Sequence, residues 1–417
     1  MGLSMGQRKA VLKSQLDAWP KASRAERSVI LDHVVAVNGW HRDHARKMIR
    51  QALAGRDLDA ARAARDPVLT YGPEVIEALV TCWAVLDGPT GKLLAPALPE
   101  LVASLIAHAE LPADPGISDA LLAMSPATID RRLKPYRSGL VAGKGRSMTR
   151  PGSLLKSSIP LKTWHEWDDT APGFIEIDLV SHDGGDNNGH FHYTLDATDV
   201  ATGWTEAITV SSKGERVVAA GLGQLQLRFP FAVLGIHSDN GSEFINHHLR
   251  TWCTDRHITF TRGRPNHKND QAHVEQKNWT EVRKSAGYYR YDTPRELALL
   301  NQIWPIQSQL RNLYLPQQKL VSKTRVGATV TKKYDKGATP LTRLLRDHPH
   351  RVDPHDQRNL TTTRETSNPA QIRRDIALIQ ANLTELARRR GIVQTRRKAN
   401  ATYLNKTKIS NPPKRAS

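Results

Sequence analysis

Between residues 174 and 284 the hydrophobic pattern changes period twice, and this limits the folds open to the chain. FIEIDLVSH, HFHYTLDAT and TEAITVSS are three β-rich runs in quick succession, joined by the turn-forming DGGDNNG and by TDVATG; the pattern predicts an antiparallel meander. Helical spacing follows over residues 217–227. FAVLGIHSD then reads as a buried strand, residues 247–256 as a helix, HITFTRG as a strand and residues 271–284 as a helix. A meander succeeded by alternating helix and strand predicts a mixed α/β sheet covered on both faces.

A chain of 417 residues exceeds one comfortable core, so several domains are expected. Its 60 Lys and Arg outnumber 41 Asp and Glu, a net charge of +19 that suits a polyanionic partner. The excess is uneven: residues 171–290 carry 12 basic and 14 acidic side chains, whereas residues 291–417 carry 25 and 9. The middle segment is therefore where carboxylates concentrate. Two distant cysteines, Cys82 and Cys253, make neither a disulfide framework nor a Cys-rich zinc site. No run reaches the roughly 18–20 apolar residues of a membrane span and the first residues lack a signal-peptide core, so a cytoplasmic protein is expected.

Residues 1–65 read as a first helical module. Ser23-x-x-Glu26 is a capping box ahead of Val29, Ile30, Val34 and Val35, and Gly39 breaks that helix. WHRDHARKMIRQAL then puts Ala45, Ile49 and Leu53 inward and Arg42, Arg46, Lys47 and Arg50 outward. Helix, glycine turn and basic helix make a helix-turn-helix pattern suited to DNA, although a solvated basic face has the same look. Residues 66–137 form a second helical, DNA-binding candidate, closing in a short helix capped by Ser125, begun by Pro126 and carrying Arg131, Arg132 and Lys134. Residues 138–170, rich in Gly, Ser, Pro and cations, read as a basic linker.

Within residues 171–290 three acids stand out. Asp178 interrupts the apolar run Ile175, Ile177, Leu179, Val180, with its side chain on the face opposite Ile177 and Leu179. Asp239 ends the fourth strand before an Asn240-Gly241 turn, at the carboxyl end where α/β sheets keep their ligands. Glu275 lies one turn into the following helix. A single acid is ordinarily solvated surface. Three that converge make a hard oxygen donor set, and two divalent cations about 3.5–4 Å apart are the standard means of stabilising a phosphodiester transition state.

These residues resemble the catalytic core of the retroviral integrase superfamily, particularly bacterial insertion-sequence transposases. The resemblance rests on FIEIDLV around Asp178, HSDNGSEF around Asp239 and GRPNHKNDQAHVEQKN around Glu275, with 35 residues between Asp239 and Glu275. It implies a ribonuclease H-like core over residues 171–290, two Mg²⁺ ions replaceable by Mn²⁺, cleavage of transposon-end DNA by water and attack of the freed 3′-hydroxyl on target DNA. Carried over, Asp178 and Asp239 would share metals and Glu275 would hold the second. Asn240, Arg262, Arg264 and Lys268 become candidates for ordering the turn or gripping phosphate. Lys277 and Asn278 become candidates for DNA contact.

The integrases' His/His/Cys/Cys zinc domain has no match here, since His33, His41 and His44 have no cysteine partners. No Gly-x-x-x-x-Gly-Lys-Ser/Thr phosphate loop is found, so any ATP use belongs to a separate helper ATPase. Synapsis of two ends implies a homo-oligomer, a dimer or tetramer. Residues 291–365 read as a helix followed by a small β-barrel or hairpin, and residues 366–417 as an amphipathic helix with a basic tail. The alternative to a transposase is a catalytically inactive, integrase-derived DNA-binding regulator; a ribonuclease H-type nuclease is disfavoured because paired helix-turn-helix modules read duplex grooves.

Overall fold

The computed structural model describes residues 5–55, 71–139, 171–239, 241, 243–263, 274, 277–327 and 329–389. The chain divides into two compact units, Met1–Thr70 and Tyr71–Ser417.

The first unit holds three helices, α1 (Met5–Leu16), α2 (Arg24–Asn38) and α3 (Arg42–Leu53). The Ser23/Glu26 capping box closes the start of α2, and Gly39, at φ 64°, ends it in the left-handed conformation that glycine adopts without strain. Leu12, Leu31, Val34, Trp40, Ala45 and Ile49 form the core. Leu53 was expected inside but is exposed, as is Val29. Leu31 rather than Val29 joins the core, and Leu53 ends its helix beyond the core residues.

In the second unit, α4 (Pro73–Val85), α5 (Gly91–Ala107), α6 (Pro115–Leu122) and α7 (Pro126–Leu133) pack around Leu79, Leu94, Leu98, Leu101, Leu121 and Ile129. Ser125 caps α7 as expected. Asp130 ties α7 to α5 by accepting from the Gly91 backbone N–H at 2.7 Å and from Arg137 at 2.5 Å.

The sheet contains β1 (Phe174–Ser181), β2 (Tyr193–Asp199), β3 (Thr205–Val210), β4 (Gly235–Ser238) and β5 (Thr259–Arg262), in the order β3-β2-β1-β4-β5. β1, β2 and β3 are antiparallel neighbours, whereas β4 lies parallel to β1 and β5 parallel to β4. This is the predicted mixed sheet. Its helices are α8 (Glu215–Gln226), α9 (His247–Asp255), a helical segment α10 (π-wound over Asn278–Arg283, α-wound over Lys284–Ala286) and α11 (Pro294–Tyr314).

Strand alternation divides β1 between two cores. Ile175, Ile177 and Leu179 join Leu195, Ile208, Val218, Leu222 and Leu249, while Val180 joins Val282, Tyr291, Ile303 and Trp304. Helix α8 approaches closely because Gly221 has no side chain: a Cβ there would meet Val210 Cγ1 at 2.7 Å. On the other side Trp304 Nε1 donates to Thr209 Oγ1 at 2.7 Å, and Thr209 bonds Thr194 at 2.8 Å. Burying Trp304 contributes about 2–3 kcal/mol from apolar area, and its N–H is satisfied.

Beyond the core, β6 (Leu320–Val326) and β7 (Thr329–Tyr334) form a two-stranded antiparallel ribbon, followed by α12 (Pro340–Asp347), α13 (Pro354–Thr366) and α14 (Pro369–Arg389). Asp87, after α4, receives ion pairs from Lys284 at 2.7 Å, Arg373 at 3.0 Å and Arg311 at 3.3 Å. The second helical region is thus fastened to the sheet and its helices and shares their apolar core. Cys82 and Cys253 are both buried and free.

Candidate active site

The parallel β1–β4 pair brings the first two acids together. Glu176 stands opposite His237, so Asp178 and Asp239, each two residues further along, arrive at the same level. Asp178 Oδ2 accepts from Asn278 Nδ2 at 2.5 Å, and its Oδ1 accepts from the Leu179 N–H at 2.7 Å. Asp239 Oδ1 accepts from the Gly241 N–H at 2.8 Å. Burial, then the charges of Asp178 and Glu243, push the Asp239 carboxyl up to about 7 against the pull of the Gly241 N–H. A carboxyl raised by a neighbouring acid in this way is arranged to receive positive charge.

A further acid, absent from the sequence-based expectations, faces Asp178. Asp196 stands directly across the β1–β2 ladder from Asp178 and is 0 % exposed. Among the described residues neither of its oxygens receives a hydrogen bond. Burial first, then Glu281, holds its pKa well above the ordinary range; Lys277 opposes this and Asp178 adds to it. The signal that marked Asp178, an acid inside a β-rich run, was also present in HFHYTLDAT. Only the register, however, shows that the two acids are neighbours.

Lys277, a candidate for DNA contact, is drawn inward in this structure: its side chain is 12 % exposed and its Nζ lies 3.6 Å from Glu281. Burial lowers its ammonium pKa. Glu281 would be raised by burial, but Arg311 and Lys277 outweigh that and lower it. Helix α10 therefore turns a charged layer toward the sheet, because the wider π-winding over Asn278–Arg283 carries Asn278 to Asp178 while Val282 enters the apolar core. Val274, on the other side of Glu275 in sequence, donates its N–H to Glu176 at 3.2 Å.

Glu275 itself, with Asn240, Arg264 and Lys268, lies outside the described residues. Arg262 is 8 % exposed, drawn into β5 beside the core. Its charge is therefore not presented on an open surface. In the first unit Arg46, Lys47 and Arg50 are exposed, and Arg42 pairs with Asp32 and donates to Ser28 at 2.7 Å. In α7 Arg131 is exposed, as is Lys134 just after it, whereas Arg132 lies 5.8 Å from the Tyr71 ring.

Residues 168–268, which include Asp178 and Asp239, match the integrase core domain family. The chain is 37 % identical over 343 residues to the uncharacterized protein y4rM of Sinorhizobium fredii (strain NBRC 101917 / NGR234), covering 82 % of this chain and 96 % of that one. The chain belongs to the integrase superfamily. Its ribonuclease H-like sheet, with β4 and β5 added in parallel beside an antiparallel meander, is the integrase catalytic core fold. A crystal structure of the catalytic core domain of BIV integrase is 20 % identical, covering 43 % of this chain and 98 % of that chain with a TM-score of 0.28. The assignment of this integrase-superfamily chain rests on the family match and on strand order rather than on that superposition. Among the described residues no helix is long and apolar enough to cross a membrane.

Proposed function

We propose that this protein is a DDE-type DNA transposase, a polynucleotidyl transferase that cleaves transposon-end DNA and joins it to target DNA. The observation that carries the reading is the meeting of Asp178 and Asp239 at one level of the parallel β1–β4 pair, where the charge of Asp178 helps to raise the Asp239 carboxyl. The donor set fits hard divalent ions: carboxylate oxygens on a rigid sheet, with the buried Asp196 oxygens unsatisfied behind them. Asp178, Asp239 and Glu275 would hold two Mg²⁺ or Mn²⁺ ions, which when bound supply Lewis-acid stabilisation of the reacting phosphate. Support for Glu275 comes from its flanks, since Val274 and Asn278 both contact β1.

The chain's own residues prepare this site. Asn278 fixes the Asp178 carboxylate, the Gly241 N–H holds Asp239, and Lys277 with Arg311 offsets the charge of Glu281 and Asp196 behind the ligands. The basic α3 and α7 faces and the cationic chain after residue 290 are the surfaces proposed for duplex DNA, with two copies or more assembling on paired ends. A separate ATPase, where required, would be another protein.

The direct test is nicking and joining of DNA carrying the element's inverted repeats, in Mg²⁺. Wild type is expected to do both, and Asp178→Asn, Asp239→Asn and Glu275→Gln to do neither. Activity untouched in all three variants would overturn the proposal, and specific DNA binding without cleavage by wild type would leave a regulator in its place.

A further inference from the structure

The β6–β7 ribbon contributes nothing to the core that the rest of the chain builds. Every residue of both strands is exposed, with neither face showing the alternate burial of a covered sheet. A two-stranded ribbon without a covered face is marginally stable by itself. Its register worsens this. Lys323 stands directly opposite Lys332, and Arg325 is two residues from Lys323 on the same face. Like charges facing across a ladder oppose pairing. The other face carries Ser322, Thr324, Thr331 and Lys333. Over residues 319–336 there are six Lys or Arg and one acid, Asp335.

That acid is committed to the base. Asp335 accepts from the Lys319 backbone N–H at 2.7 Å and from Arg343 Nη1 at 2.6 Å, and Arg343 Nη2 donates to the Gln317 carbonyl at 2.7 Å. Lys319 Nζ donates to the Val200 carbonyl at 2.7 Å, and Gln317 Nε2 to the Gly203 carbonyl at 3.2 Å. The ribbon is therefore rooted on the β2–β3 turn. Asp199, just before that turn, pairs with Ile175 at the start of β1, three residues along the strand from Asp178. A blade with a fixed root, three cations on one face and hydroxyls with Lys333 on the other is arranged to hold a polyanion outside the crevice.

We propose that the β6–β7 ribbon is a duplex-DNA grip, with Lys323, Arg325 and Lys332 on backbone phosphates and the Ser/Thr face against the same groove. The inference rests on the reading of the protein as a DNA transposase. Two-stranded ribbons fit DNA grooves, and phosphate contacts relieve the Lys323/Lys332 repulsion that folding leaves in place. A second copy of the ribbon is a poorer occupant, since it would bring three more cations to the same face.

The test is binding of full-length protein to a labelled duplex, by fluorescence anisotropy across a salt series. Two variants are compared with wild type: Lys332→Glu, and the triple Lys323→Gln/Arg325→Gln/Lys332→Gln. The triple variant is expected to lower the magnitude of the log K against log salt slope by up to about 2.7, at about 0.9 for each phosphate no longer neutralised. Lys332→Glu separates binding from stability, because it places opposite charges across the ribbon and yet is expected to weaken binding about tenfold or more at low salt. Melting temperatures of both variants should match wild type. Wild type binding duplex with affinity and slope unchanged in both variants would overturn the ribbon proposal alone. Unchanged DNA affinity with a change in sedimentation would also overturn it, in favour of a contact between copies. Failure of wild type to bind any duplex would instead sink the underlying transposase reading.

Discussion

Asp178 and Asp196 face one another across the antiparallel β1–β2 ladder, their side chains on the same side of the sheet. One is held by Asn278 at the crevice; the other is fully buried with no hydrogen bond to either oxygen among the described residues. Two like charges opposite in a sheet cost stability, and burial beside Asp178 accordingly holds the Asp196 carboxyl toward its protonated form.

Asp196→Asn keeps the shape and removes the ionisable group. A raised carboxyl pKa means that the native state holds its proton more tightly than the unfolded chain, so stability falls as pH rises above the ordinary carboxylate range. The asparagine variant escapes that loss. Urea unfolding should show a gain in stability over wild type at pH 8 and a smaller one at pH 5. A loss at both pH values would contradict it.

Asp239→Asn should eliminate metal-dependent cleavage and joining, a fall on the order of a thousandfold or more. The fold should survive, because the removed group is one that burial and Asp178 push up to about 7. A melting temperature equal to or above wild type, together with the loss of activity, is the expected pair of readings. Activity within tenfold of wild type would exclude Asp239 from the chemistry.

Lys277→Met distinguishes an internal ion pair from a DNA contact. Removing the ammonium leaves Glu281 and Asp196 facing less compensation, at a cost of about 3–5 kcal/mol in chemical unfolding. Wild-type stability combined with a shallower salt dependence of DNA binding would return Lys277 to the DNA surface.

Glu206 lies at the β3–α11 seam, accepting from Ser308 at 2.6 Å and from Trp204 Nε1 at 2.8 Å. Burial carries its carboxyl up to about 7, despite the lowering effect of Ser308 and Trp204. Between the unfolded value of 4.5 and about 7 the native state therefore binds the extra proton, and stability declines with rising pH across that window. Glu206→Gln should flatten the decline by on the order of 2–3 kcal/mol between pH 4.5 and pH 8, read from denaturant midpoints. An unaltered pH profile would show that Glu206 is ionised throughout.

The order of elements is legible in the amino-acid sequence, because alternation of period 2 and period 3.6 is local and survives without tertiary information. Asp178 and Asp239 are marked there too, since an acid in an apolar strand and an acid at a strand's carboxyl end are visible one residue at a time. The Ser23/Glu26 capping box and the Gly39 stop are legible for the same reason, being built from residues close in the chain. Whatever depends on pairing had to wait for the fold. Only the β1–β2 register makes Asp196 the neighbour of Asp178, and only the packing of α10 against the sheet turns Lys277 from an expected surface cation into the partner of Glu281. The same holds for Asp87, whose three cations come from residues 284, 311 and 373. Charge–charge energy depends on distance and burial, and neither is set by spacing along the chain.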